Sequence, residues 1–173
     1  MSWITQYSQN VTVKKPLIGA AVFKFPTKDG IHQLVQEASA FSAAGRMTAT
    51  FLIKPDTARF ISAGGGIPKL RLYFQRRGDT WSGSGSYQWY RWWSAPQFCF
   101  LRPGQQTISV PLVPEQWQAV LGKMGTFNRI AFRDAVENPV YVGMTFGDDN
   151  GAFAHGAWAI TEGIKFKLLS FSY

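Results

Sequence analysis

The chain of 173 residues carries 18 Lys and Arg against 10 Asp and Glu, a formal charge of +8, with 16% aromatic residues and a single cysteine. That length suits one domain with a sizeable core, and one cysteine excludes an intrachain disulfide or a structural zinc site. No run of about 18 apolar residues occurs, which excludes a membrane-spanning helix.

The 17 Gly and 9 Pro lie between short apolar runs and favour a sheet-and-turn protein. The positive charge makes anionic partners, nucleic acid included, worth considering, but basic residues adjoin only in pairs such as Lys14-Lys15 and Arg76-Arg77, so general solubility is the favoured reading. The N-terminus lacks a basic cluster followed by an apolar stretch. The expectation is cytoplasmic synthesis without a signal peptide, with release on a particle such as a virion if the protein acts outside a cell.

Residues 1–16, with Trp3 and Tyr7 and ending at Pro16, predict an N-terminal arm or edge strand, and residues 17–173 one domain. Residues 17–25 read as a first strand, closed by the turn at Pro26, Asp29 and Gly30. The spacing of Ile31, Leu34, Val35 and Ala38 predicts a short helix over residues 32–39, with an irregular loop as the alternative; His32 falls off its apolar stripe. Residues 46–53 alternate, with Met47, Ala49, Phe51 and Ile53 on one side. Residues 58–62 form a weaker strand, and Gly64, Gly65 and Gly66 read as a flexible connector, since no Gly-Lys-Ser/Thr follows. Residues 68–76 alternate again, and the loop from Arg77 to Ser86 exposes Trp81.

Tyr87, Gln88, Trp89, Tyr90, Arg91, Trp92, Trp93 and Ser94 pack five large rings around an arginine. As a strand, the stretch places rings on both faces, one for the core and one for a second layer, partner or ligand. Cys99 sits in the apolar run Phe98-Cys99-Phe100-Leu101 and reads as a buried small hydrophobe. Residues 107–112 alternate. Residues 114–122 give the best helical turn, opened by Pro114 and closed by Gly122. Residues 127–136 read as a strand and turn; Val140, Val142, Met144 and Phe146 then alternate, and residues 153–160 and 164–171 supply the last strands. About eight to ten short strands between turns indicate an antiparallel β-sandwich or barrel with one or two helical turns.

Leu70-Arg71-Leu72-Tyr73-Phe74, the tryptophan-rich stretch, Leu101-Arg102-Pro103-Gly104, Ser109-Val110-Pro111-Leu112, Trp117, Val142-Gly143-Met144-Thr145-Phe146-Gly147 and His155-Gly156 follow one another in an order that resembles the jelly-roll β-sandwiches of galactose-binding-like and carbohydrate-binding-module type. The resemblance spans residues 40–173. It implies an all-β fold, a single jelly-roll sandwich, and raises the expectation of binding without supplying sugar ligands.

Catalytic groups are scarce. A paired-carboxylate glycosidase would draw on Asp134, Glu137, Asp148, Asp149 or Glu162, yet no spacing selects two of them. His155 is the foremost catalytic or metal residue, with a structural role favoured. Asp148, Asp149 and Asn150 are hard-oxygen candidates for calcium, with a plain turn preferred, so the expectation is no cofactor. Sugar binding needs flat rings beside polar groups, and Trp81, Gln88, Tyr90, Arg91 and Trp92 offer both. The leading expectation is therefore a non-catalytic, lectin-like module for carbohydrate, working as a homo-oligomer or on an assembly such as a phage particle. The alternative is a structural virion subunit, of capsid, tail or decoration type, using the rings and arm for subunit contacts. Nucleic-acid binding stands third.

Overall fold

The computed structural model describes every residue except Met1, Gln9, Asn10, Ser39, residues 42–44 and Ala152. In chain order the strands are β1 (Ile4–Gln6), β2 (Ala21–Lys24), β3 (Gln33–Glu37), β4 (Arg46–Lys54), β5 (Phe60–Ser62), β6 (Lys69–Arg76), β7 (Arg91–Ser94), β8 (Cys99–Phe100), β9 (Gly104–Pro111), β10 (Trp117–Ala119), β11 (Pro139–Gly147), β12 (Ala157–Ala159) and β13 (Lys165–Ser172), with one helix, α1 (Arg129–Glu137). All pairings are antiparallel, in a seven-stranded sheet ordered β1-β3-β11-β6-β7-β10 with β8 on β6, a four-stranded sheet β2-β13-β4-β9, and the pair β12-β5.

Alternation explains the layering. In β4, Met47, Ala49, Phe51 and Ile53 are fully buried, while Thr48 and Thr50 turn outward and meet Ser109 and Thr107 of β9 at 2.7 and 3.0 Å. Phe146 of β11 lies 6.0 Å from Phe23 of β2 and 5.6 Å from Phe166 of β13, so the two larger sheets share one apolar core. β6 is buried on both faces: Leu70, Leu72 and Phe74 enter that core, and Lys69, Arg71, Tyr73 and Gln75 are buried on the other side. The outer face of the seven-stranded sheet is therefore covered too.

Five expectations are corrected. The stretch predicted as a helix over residues 32–39 is strand β3, laddered between β1 and β11, because inter-strand hydrogen bonds outweigh a weak local period; Ser39 lies outside the described residues. The helical turn at residues 114–122 is a short 3-10 turn over Pro114–Gln116 followed by β10, in which Trp117 and Ala119 point inward and Trp117 Nε1 donates to Pro111 O at 2.8 Å. The strand and turn at residues 127–136 is instead α1: Asn128 Oδ1 accepts from Ala131 N, and Phe132 and Ala135, one helical turn apart, are buried. The aromatic stretch starts as a 3-10 turn over Gly85–Trp89, and only Arg91–Ser94 is strand. Cys99 is half-buried rather than enclosed.

Candidate ligand-binding cleft

Three rungs of side chains cross the outer face of the seven-stranded sheet. Val35, Gly143, Tyr73, Trp93 and Gln118 stand opposite one another in one rung; Gln33, Thr145 and Arg71 form the rung on one side, and Glu37, Tyr141, Gln75 and Arg91 the rung on the other. Side chains two residues apart share a face, so these rungs form one floor. Loops raise its walls. Trp81 from the β6–β7 loop, Val120 and Leu121 after β10, and Phe153 and His155 after β11 enclose a cleft of about 690 Å³, with Gln33, Arg91 and Trp93 also lining it.

The floor is aromatic at its centre. The Tyr73 and Trp93 rings lie 5.5 Å apart, and Phe153 is 6.5 Å from Trp93. One end is roofed by Tyr7 and Trp81, whose rings meet at 4.6 Å although β3 and β11 separate the strands that lead to them. Both residues hold left-handed backbone, φ 58° and 65°. Trp81 is fixed in two ways: its N–H donates to Asp79 Oδ1 at 2.9 Å, and the Arg91 guanidinium lies 4.8 Å from its ring. Asp79 is the hub beneath, taking Gln75 Nε2 at 2.9 Å and pairing with Arg91 Nε at 2.9 Å. Tyr73 OH donates onward to Gln75 Oε1 at 3.3 Å, and burial, ahead of the opposed charges of Arg91 and Asp79, pushes the Tyr73 phenol well above its ordinary value.

At the other end Arg71 donates to Ser94 O and Ala95 O at 2.6 and 2.7 Å and pairs with Asp149, which Lys69 also holds. The guanidinium lies between Phe153 and Phe98, at 4.3 and 4.9 Å. Burial works to raise the Asp149 carboxyl, but Lys69 and Arg71 outweigh it and hold it below the usual range. His32, on the wall, is pushed down by burial first and by the charge of His155 second.

Several buried polar atoms here lack a hydrogen-bond partner among the described residues: Gln33 Oε1, Thr145 Oγ1, Trp93 Nε1, Arg71 Nε and Arg91 Nη2. A buried polar atom left unpaired costs about 1–3 kcal/mol, so these enclosed atoms call for ordered water beneath the floor.

Of the five residues expected to bind, Trp81 and Arg91 line the cleft. Trp92 does not: it is fully buried on the core face, stacked on Phe74 and donating to Trp89 O at 2.9 Å. Gln88 and Tyr90 belong to the 3-10 turn and its end, where Gln88 Nε2 donates to Gly85 O at 2.8 Å and Tyr90 lies under Arg76, 4.6 Å from ring to guanidinium. Tyr7, Gln33, Trp93 and Phe153, which also line the cleft, were missed. Their segments are far apart in sequence, and only the sheet order joins them.

The calcium candidates serve as braces. Asp148 accepts from Ser62 Oγ at 2.6 Å, Gly66 N at 3.0 Å and Asn150 N at 2.8 Å, which also ties down the triple-glycine connector. Burial acts to raise its carboxyl, and these three donors outweigh burial and lower it. Among the described residues no group of three or more His, Cys, Asp or Glu converges as a metal site. Among the described residues no helix is long and apolar enough to cross a membrane.

No family model matches the chain, and no curated protein matches it. Among solved structures, the xylan-binding module CBM15 is similar in overall path over 97% of this chain and 91% of that chain, with 12% identity and a TM-score of 0.40. The likeness is one of overall path and assigns no residue of the cleft.

Proposed function

We propose that this chain is a jelly-roll sandwich module that binds carbohydrate in the cleft on the outer face of its seven-stranded sheet. The observation that carries this reading is the lining of the cleft, where the Trp93 and Trp81 rings stand beside the polar side chains of Gln33, Arg91 and Gln118. A sugar suits such a lining: its C–H face stacks on a ring, and its hydroxyls, which both donate and accept, match amide and guanidinium groups alike. Tyr7 and Trp81 would cover the ligand from above.

The module is proposed to bind without reacting. Asp149 is the one carboxylate among the lining residues, and Lys69 and Arg71 neutralise it. Hydrolysis of a glycosidic bond needs two carboxyl groups across the scissile bond. Subunit packing through the aromatic stretch is less well supported, since Trp92 is spent inside the monomer.

Affinity electrophoresis in gels containing soluble plant and microbial polysaccharides, backed by a glycan array, tests the reading. Retardation by at least one neutral glycan that is lost in Trp93→Ala and in Trp81→Ala is expected. Silence across the array, or retardation indifferent to both variants, would overturn it.

A further inference from the structure

The four-stranded sheet turns its outer face away from the cleft, and that face is basic. In β13, Phe166 and Leu168 are fully buried, so Lys165 and Lys167 face outward. Lys165 stands directly opposite Lys24 on one side and Lys54 on the other. Lys167 stands opposite Val22, which is bridged to Lys14. Like charges directly opposite one another destabilise a sheet. Among the described residues, only Lys54 of these five lysines has a carboxylate in ion-pair reach, Asp56 at 2.7 Å. A hollow of about 690 Å³ opens between Lys14, Lys24 and Lys165.

Beside the lysines stand two aliphatic side chains in open water. Leu17 is 106% exposed and Ile18 77%. They follow Lys14 and Lys15, and the next residue, Gly19, lies against the lysine face: a Cβ there would be 3.4 Å from Lys167 Cε. A face kept merely soluble needs the lysines but has no use for an adjacent Leu-Ile pair. A surface for single-stranded nucleic acid uses rings on which bases stack, and the lysine rungs carry none, whereas a duplex held through its phosphates would have no use for Leu17 and Ile18.

We propose that this face docks the protein on an anionic lipid surface. The lysines meet negatively charged headgroups, and Leu17 and Ile18 enter the boundary between headgroups and acyl chains. The two larger sheets share one core, so the cleft opens on the far side and stays accessible. The proposal does not depend on what the cleft binds.

Sedimentation of the full chain with phosphatidylcholine vesicles, with and without phosphatidylglycerol, tests it. Binding to the anionic vesicles alone is expected, weakened roughly tenfold in the Leu17→Ser, Ile18→Ser double variant and more than about tenfold in Lys165→Glu, Lys167→Glu. The Lys165→Arg, Lys167→Arg variant should keep the binding, and thermal melts should show all three variants folded. No sedimentation with anionic vesicles at low salt overturns the proposal. So does binding that ignores the Leu17 and Ile18 changes, which would mark a surface for any polyanion, such as an acidic polysaccharide.

Discussion

Trp92 and Trp93 are consecutive in β7 and face opposite sides of the seven-stranded sheet: Trp92 meets Phe132 at 5.1 Å in the core, whereas Trp93 meets Tyr73 at 5.5 Å on the cleft floor. Strand alternation thus gives one indole to the core and the next to the cleft floor. Trp92→Ala should cost about 3–5 kcal/mol of folding free energy, by loss of a fully buried ring and the cavity it leaves. Trp93, 8% exposed, is also largely buried, so Trp93→Ala should lower the urea midpoint as well, but of the two it alone should abolish glycan retardation of the folded protein. Retardation that survives Trp93→Ala, or that folded Trp92→Ala loses equally, would show that the cleft indole has no binding role of its own.

The sheet was legible where one strand face meets water. In β4 the half-exposed threonines mark the phase and the buried Met47, Ala49, Phe51 and Ile53 follow. In β7 every residue is buried, so alternation separates Trp92 from Trp93 without saying which one is inside. Trp81 and Arg91 could be found because a large ring on a glycine-serine loop stands out locally. Gln33, Thr145 and Arg71 could not, because three strands distant in sequence bring them into one rung. The signal for α1 was present in Asn128 and the Phe132, Ala135 spacing, but Ile130 and Phe132 alternate as a strand would.

Asp79 joins the roof of the cleft to its floor. Its side chain is 1% exposed and that of Arg91 10%, at 2.9 Å, so Asp79→Ala leaves a buried guanidinium without its counter-charge and frees the Trp81 N–H. Stability should fall by about 3–5 kcal/mol. Asp79→Asn, which keeps an acceptor for Trp81, should lose less. Denaturant titration of both variants checks the order, and a smaller loss for the alanine variant would contradict it.

Gly143 sits mid-strand between Val35 and Tyr73, where β3 and β11 approach too closely for a side chain. A Cβ there would lie 2.1 Å from Leu34 O and 2.8 Å from Val35 Cα, both in the backbone of the neighbouring strand. Gly143→Ala must therefore push β3 off its ladder and disturb the floor beside Tyr73. The variant should be largely insoluble on expression or melt far below the wild type. A wild-type melting curve would show that β3 shifts at little cost.

Two pH steps in stability follow from His32 and from the aspartate pair. The folded pKa of His32 is lowered, by burial first and then by His155, so the unfolded chain takes up that proton earlier as pH falls. Its contribution is whole above about pH 6.5 and is lost as pH drops through the folded value. Asp148 and Asp149 are also lowered, their donors and cations outweighing burial. Their contribution is present above about pH 4 and disappears below it, as each carboxylate is protonated away from Ser62, Gly66, Asn150, Lys69 and Arg71. Urea midpoints measured across this range should show a shallow decline from near neutrality and a steeper one in acid. His32→Gln should remove the first and leave the second, and a first step that survives in that variant would assign it to another group.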